Sequence, residues 1–290
     1  MKYVLLAALF FLSCAKKPHS DQPDDKTNLD LHDLKVSLTN EYVSRAENNV
    51  GHWPSDKDCD GALWAGIVRA GGLAVDIGMA LTSEGRPTRR PLKDCGPANL
   101  GYPGDSAGTT STDMMLGIII GLFADNDLAG LQKMSAYAAA HGGIMGFPAE
   151  NIAISLIKPG TSVHLARAIH ALGGPASPWD SVPQIYTPPA HDYELHLELL
   201  SMYETAAAGA RLNFEETQAL IYEANHNPND ALAQALLGRK AEAAKMLLDP
   251  NWQVPHYVRG PETADIVHRL FVLKVISSIN TAKFLTREKQ

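Results

Sequence analysis

Residues 114–124, MMLGIIIGLFA, restrict the fold more than any other stretch: eleven consecutive residues without a charged or polar side chain. The run follows Ser111-Thr112-Asp113, three residue types that cap helices by accepting hydrogen bonds from the first free amides. A helix over 114–124 is apolar on every face, and such a helix must be surrounded by other protein. Residues 264–279 repeat the pattern with a few charges. The fold therefore needs inner helices and outer helices to cover them.

The rest of the chain supplies the outer helices. Asn28 or Asp30 caps a first helix through Asn48, and Asp60 opens a second to about Ser83. Further helices are expected over 128–141, 161–172, 191–208, 214–225, 230–238, a segment through 248, and 264–284, with a Pro/Ser-rich connection over 173–190. Gly71-Gly72 falls inside the second helix and reads as a point of close helix packing. Alternation of strand type is nearly absent, and no repeat of about 34 or 40 residues marks a solenoid. The fold class is all-α: a double-layered helical array, or a reduced (α/α) toroid, since a full six-hairpin toroid needs more chain.

Met1, Lys2 and the apolar run over 3–12 have the layout of a secretory signal. The run is too short for a bilayer, which takes about 20 apolar residues. It ends in Phe-Leu-Ser-Cys, residues 11–14, which resembles the lipobox of bacterial lipoproteins, with Phe11 where that family usually has Leu. The resemblance implies removal of residues 1–13, lipid on Cys14, and anchorage to a membrane. Ala15 rather than Asp after the cysteine implies the outer membrane of a Gram-negative cell. Residues 14–28 are charged and lack large apolar side chains, so they read as a flexible tether ahead of a single helical domain over 29–290.

A net charge of −7 with no basic block argues against a nucleic-acid partner. Arg69 and Asp76 interrupt the apolar run 62–81, which makes it core rather than membrane span. With Cys14 lipidated, Cys59 and Cys95 remain, and an oxidising compartment favours a bridge between them. That bridge would pin an aspartate loop to an arginine loop.

Those loops lie within residues 52–122, where the chemistry-bearing residues gather. DKDCDG, residues 56–61, opens like a calcium loop, but Ile67 stands where the bidentate Glu is needed. Asp60 and Asp113 each precede an apolar helix, either as plain caps or as a carboxylate pair at one end of two neighbouring inner helices. Arg86, Arg89 and Arg90 sit in a proline-bounded loop, solvated or gripping a ligand, and Trp53 and Trp64 flank the aspartates as core or as stacking platforms. Over 52–122 the chain resembles α/α-toroid carbohydrate-active enzymes. The resemblance implies a glycan ligand, catalysis by Asp113 and Asp60, and substrate contacts from Arg86, Arg89, Arg90, Trp53 and Trp64. A helix N-terminus lowers a carboxyl pKa, so the general acid must be another group, with Glu84, Asp94 and Asp105 nearest in sequence. Eleven histidines show no zinc spacing, and HExxH, GxSxG and Walker motifs are missing, so no metal or cofactor is expected. Two classes remain: a glycan-directed, glycoside hydrolase-like lipoprotein, and a non-catalytic helical lipoprotein that binds a protein or ligand partner.

Overall fold

A computed structural model describes residues 22–46, 52–54, 61–89, 110–146, 155–157, 159–182, 189 and 192–285. The fold is all-α. Helix α1 spans Asp25–Arg45, α2 Gly61–Ala70, α3 Thr112–Ala124, α4 Leu128–Ala140, α5 Pro159–Ala171, α6 Asp192–Ala207, α7 Phe214–His226, α8 Ala231–Leu237, α9 Lys240–Leu248, α10 Ala264–Ser278 and α11 Thr281–Phe284. Strands β1 (Ile144–Gly146) and β2 (Ser155–Leu156) form a small antiparallel pair, with Ile144 opposite Leu156.

Two layers are visible in the burial. In α2 every residue but Arg69 is buried, and in α3 every residue from Met114 to Leu122. All of α8 is buried as well. By contrast α1 buries only Leu31, Leu38 and Tyr42, a single stripe, as an outer helix should. Helices α2, α3, α5, α6, α8 and α10 each pack on the next, and α10 packs back on α2.

Glycines set the closest of these contacts. A Cβ on Gly66 would lie 1.8 Å from the Gly117 carbonyl oxygen, and one on Gly117 would lie 2.3 Å from the Leu63 Cα. A Cβ on Gly121 would in turn lie 3.0 Å from the Gly66 Cα. Rising numbers in α2 meet rising numbers in α3, so the two helices run parallel and begin at the same end. The other inner helices follow suit. Tyr193 in the first turn of α6 reaches Asp113 in the first turn of α3. Phe271 of α10 meets Gly71 at the end of α2, while Gly260, just before α10, meets Trp64 near the start. Asp230 caps α8 and bonds Tyr257 ahead of α10, and Gly238 at the far end of α8 meets Thr281 beyond α10. One end of the inner layer thus collects helix N-termini.

Two expected helix boundaries move. The first helix begins at Asp25 because Asp24, not Asn28 or Asp30, accepts from the Thr27 amide at 2.7 Å. The acidic pair Asp24-Asp25 favours a helix start, so residues 25–28, expected in the tether, are helical. The second helix stops at Ala70 rather than near Ser83. Gly72 takes φ +94°, a left-handed conformation that ends a helix, and Gly71 and Gly72 bond back to Ile67 and Arg69. The chain then returns alongside through a 3₁₀ turn at Ile77–Ala80 and a bridge between Leu81 and Pro87.

Gly117→Ala decides how much this contact matters. Alanine gains about 1 kcal/mol in helix propensity, but its Cβ has no room against backbone atoms that cannot rotate away. A net loss of about 2 kcal/mol or more is expected in chemical denaturation. Unchanged stability would mean that α2 and α3 do not touch as described.

Candidate functional site

At the end where the inner helices begin, Asp113 is the carboxylate of the first turn of α3. The Ser111 hydroxyl donates to its Oδ1, and the Tyr193 hydroxyl donates to its Oδ2 at 2.8 Å. Ser111 occupies the cap position but spends its hydroxyl on Asp113 rather than on a backbone amide. The carboxylate is half-buried and joins α3 to α6, so it is oriented by two separate elements.

Arg89 is brought to the same end: its carbonyl accepts from the Ala62 amide at 2.8 Å, in the first turn of α2, and its side chain is buried. Arg86 is half-buried three residues earlier, its amide bonded to Thr82 Oγ1 at 3.0 Å. Glu84 is exposed on the turn between them and Leu81, beside Gly85, which abuts Lys133 of α4. Asp60, Arg90, Cys14, Cys59, Cys95, Asp94 and Asp105 lie outside the described residues.

The tryptophans are not stacking platforms. Trp53 and Trp64 are both 0% exposed. Trp53 Nε1 donates to the Asp76 carbonyl at 2.9 Å and so clips the returning chain to the core. Trp64 lies beneath Gly260, whose Cβ would fall 2.1 Å from its Nε1. Neither ring presents a face to solvent, because a large apolar ring next to inner helices is worth more buried than exposed.

Sequence reading missed two buried polar clusters, both assembled across helices distant in the chain. One turn inside from Tyr193, His196 of α6 stands among Trp64, Tyr257 and His268, with ring centroids 5.6, 5.5 and 5.8 Å away. Both histidines are 0% exposed, and none of their four ring nitrogens has a hydrogen-bond partner among the described residues. Burial holds His196 at a pKa of about 4 and His268 well below the ordinary range, with His196 and Arg269 depressing the latter further. Beside them Tyr257 donates to Asp230 at 2.5 Å. Burial raises the pKa of Asp230 and of Glu223, and Tyr257 is raised by burial and then by Asp230. The second cluster braces α5 against α6: His164 Nδ1 and Arg167 Nη1 meet the fully buried Glu204 carboxylate at 2.5 and 3.3 Å, and Arg167 also bonds Thr205. Spacing along one helix carries no signal for this cluster, because His196 and His268 pair across two helices.

A cleft of about 310 Å³ opens at the opposite end, where α6 and α10 finish, lined in part by Tyr203, Lys274, Ser278 and Lys283. Among the described residues no three His, Cys, Asp or Glu side chains are arranged to hold a metal ion. No helix among them is long and apolar enough to cross a membrane. Comparison with protein-family models, with curated proteins and with solved structures gives no match.

The buried histidines make stability depend on pH. Each has a folded pKa below its unfolded value, so the unfolded chain binds more protons and stability falls on acidification from about 6.5 through about 4. His196 alone contributes on the order of 3 kcal/mol across that window. Asp230 and Glu223, raised in the folded state, act oppositely: their contribution is largest in acid and is lost as pH climbs above about 4. His196→Phe keeps these carboxyls and removes one titrating ring. Its stability difference between pH 4.5 and pH 7 should shrink relative to wild type; an unchanged difference would show that His196 is not buried neutral.

Proposed function

We propose that this protein is a lipid-anchored, glycan-directed protein of the bacterial envelope whose working end is the one where α2, α3 and α6 begin. Asp113 is its base or nucleophile. Asp60, which immediately precedes α2 in sequence, is the second carboxylate, and Arg86, Arg89 and Arg90 grip the substrate. Cys14 carries the anchor in the outer membrane, Cys59 and Cys95 bridge the two loops, and the inner helices form a reduced (α/α) toroid.

The observation that carries this reading is the placement of Asp113. Two hydroxyls from different elements hold its carboxylate at the mouth of the most apolar helix, next to the start of a parallel partner. A helix N-terminus is a place where an anion is favoured, and a carboxylate is the group that serves as base or nucleophile in glycoside hydrolysis. Held from two sides, it would need little reorganisation during reaction. Trp53 and Trp64 take no part as platforms in this version of the site, since both are buried.

One feature favours the rival reading of a non-catalytic binding lipoprotein. Both oxygens of Asp113 already accept a hydroxyl, which also suits a purely architectural tie between α3 and α6.

Asp113→Asn separates the two. Asparagine caps as well as aspartate and keeps an oxygen for Tyr193. If Asp113 is catalytic, the variant keeps the wild-type melting temperature and loses about a hundredfold or more in hydrolysis of whichever glycan a substrate screen yields. Full activity in Asp113→Asn would remove it from catalysis and leave the binding role.

A further inference from the structure

The cleft beyond the ends of α6 and α10 is held open by the backbone around it. After α6 the chain turns at Gly209, whose φ of +73° brings the Gly209 and Ala210 amides back onto the Ala206 and Thr205 carbonyls. A Cβ placed on Gly209 would meet nothing within 4 Å. The Leu212 amide then bonds the Phe284 carbonyl at 2.9 Å, which ties this wall to α11. Thr281 at the start of α11 packs in turn on Gly238 at the end of α8. Ala206, Ala207, Ile279 and Phe284 make the lining largely apolar.

The charge of this cleft departs from that of the chain. There are 32 acidic against 25 basic side chains in all, yet Lys274 and Lys283 line the cleft and no carboxylate is among its lining residues. Neither ammonium group has an ion pair or a hydrogen bond among the described residues. Nor are they needed as helix caps. The Ser277 and Ser278 hydroxyls donate to the Lys274 carbonyl, and the Ile279 amide donates to the Val275 carbonyl, so the last turn of α10 is already served. The Asn280 amide and the Tyr203 hydroxyl, also on lining residues, make no hydrogen bond among the described residues either. Two like charges around one small space repel each other and focus a positive potential there.

We infer that this cleft binds a phosphate monoester carrying a short apolar body, its phosphate held by Lys274 and Lys283. Near neutral pH such an ester carries about −1.5 to −2 charges, which two ammonium groups match; a carboxylate carries only one. Its terminal oxygens are strong acceptors, and the uncommitted groups of the lining are donors: two ammoniums, an amide and a phenol. At about 310 Å³ the cleft sits near the lower limit of ligand pockets, roughly 300–1,000 Å³, so the apolar body inside it is small. A soluble ester and the headgroup of phosphatidic acid both present this group. The cleft lies at the opposite end of the inner helices from Asp113, so the inference does not depend on the glycan reading.

The test titrates phenyl phosphate into the full-length protein, labelled at alanine methyls and lysine side chains and followed by NMR. Ala206, Ala207 and Lys274 should shift at about millimolar ligand. Phenol, which lacks the charge, should leave them in place, and inorganic phosphate, which lacks the apolar body, should bind about tenfold more weakly. Both lysines reach solvent, so Lys274→Gln and Lys283→Gln should keep the wild-type circular dichroism. Each should weaken phenyl phosphate about fivefold or more, whereas Lys245→Gln, away from the cleft, should not. Preferential sedimentation with vesicles containing phosphatidic acid over phosphatidylcholine alone, reversed by phenyl phosphate, would assign the ester to a lipid. Shifts with phenyl phosphate and no such preference would assign it to a soluble ester. The inference is overturned if the cleft signals stay fixed, if phenol or inorganic phosphate binds as well as phenyl phosphate, or if the double lysine variant binds like wild type.

Discussion

The contact between α2 and α3 at Gly66, Gly117 and Gly121 is the feature on which the rest of the molecule hangs. Helices carrying ordinary side chains pack 8–10 Å apart. Here backbone meets backbone, since even a methyl group at Gly66 would overlap the Gly117 carbonyl. That contact fixes three things together: the parallel direction of the pair, its register, and the alignment of its N-termini. Asp113 owes its position beside the start of α2 to this register. A slip of one residue in α3 would turn it by about 100° around the helix axis and away from Tyr193.

From that pair outward, polar groups serve as ties between elements rather than as decoration of the surface. Tyr193 joins α6 to α3, Tyr257 joins the chain ahead of α10 to the start of α8, and Glu204 gathers two residues of α5. Arg69 joins the end of α2 to Asp125 at the end of α3, which closes the same pair from the other side. In a low-dielectric interior such bonds are strong when complete and costly when broken. Other enclosed polar atoms, among them the ring nitrogens of His196 and His268, the Trp64 and Trp179 indole nitrogens and Glu204 Oε1, have no hydrogen-bond partner among the described residues.

The layers of the fold were legible in the sequence because they depend on local composition. Residues 114–124 are apolar all round and 264–279 on more than one face, and both are inner helices. Capping chemistry placed α8 behind Asp230, whereas α3 begins at Thr112, two residues ahead of the apolar run, with Ser111 making no side-chain bond to a helix amide. Errors arose where one residue type has two meanings. Gly71-Gly72 in an apolar run fits close packing within a helix as well as a helix end, and Gly72 ends the helix through a positive φ. Trp53 and Trp64 were read as open to either role, and burial settled it. For the site, Asp113 and the arrival of Arg89 at the start of α2 follow from sequence neighbourhood. Tyr193, His196, Tyr257 and His268 could not be found that way, since each acts across a gap set only by tertiary packing.

Native-state hydrogen exchange tests the dependence on the α2–α3 pair most directly. If this contact underlies the fold, the amides of α2 and α3 exchange together, most slowly in the chain, and with the free energy of global unfolding. Exchange of α2 through a separate, lower-energy opening while α3 stays protected would contradict the account.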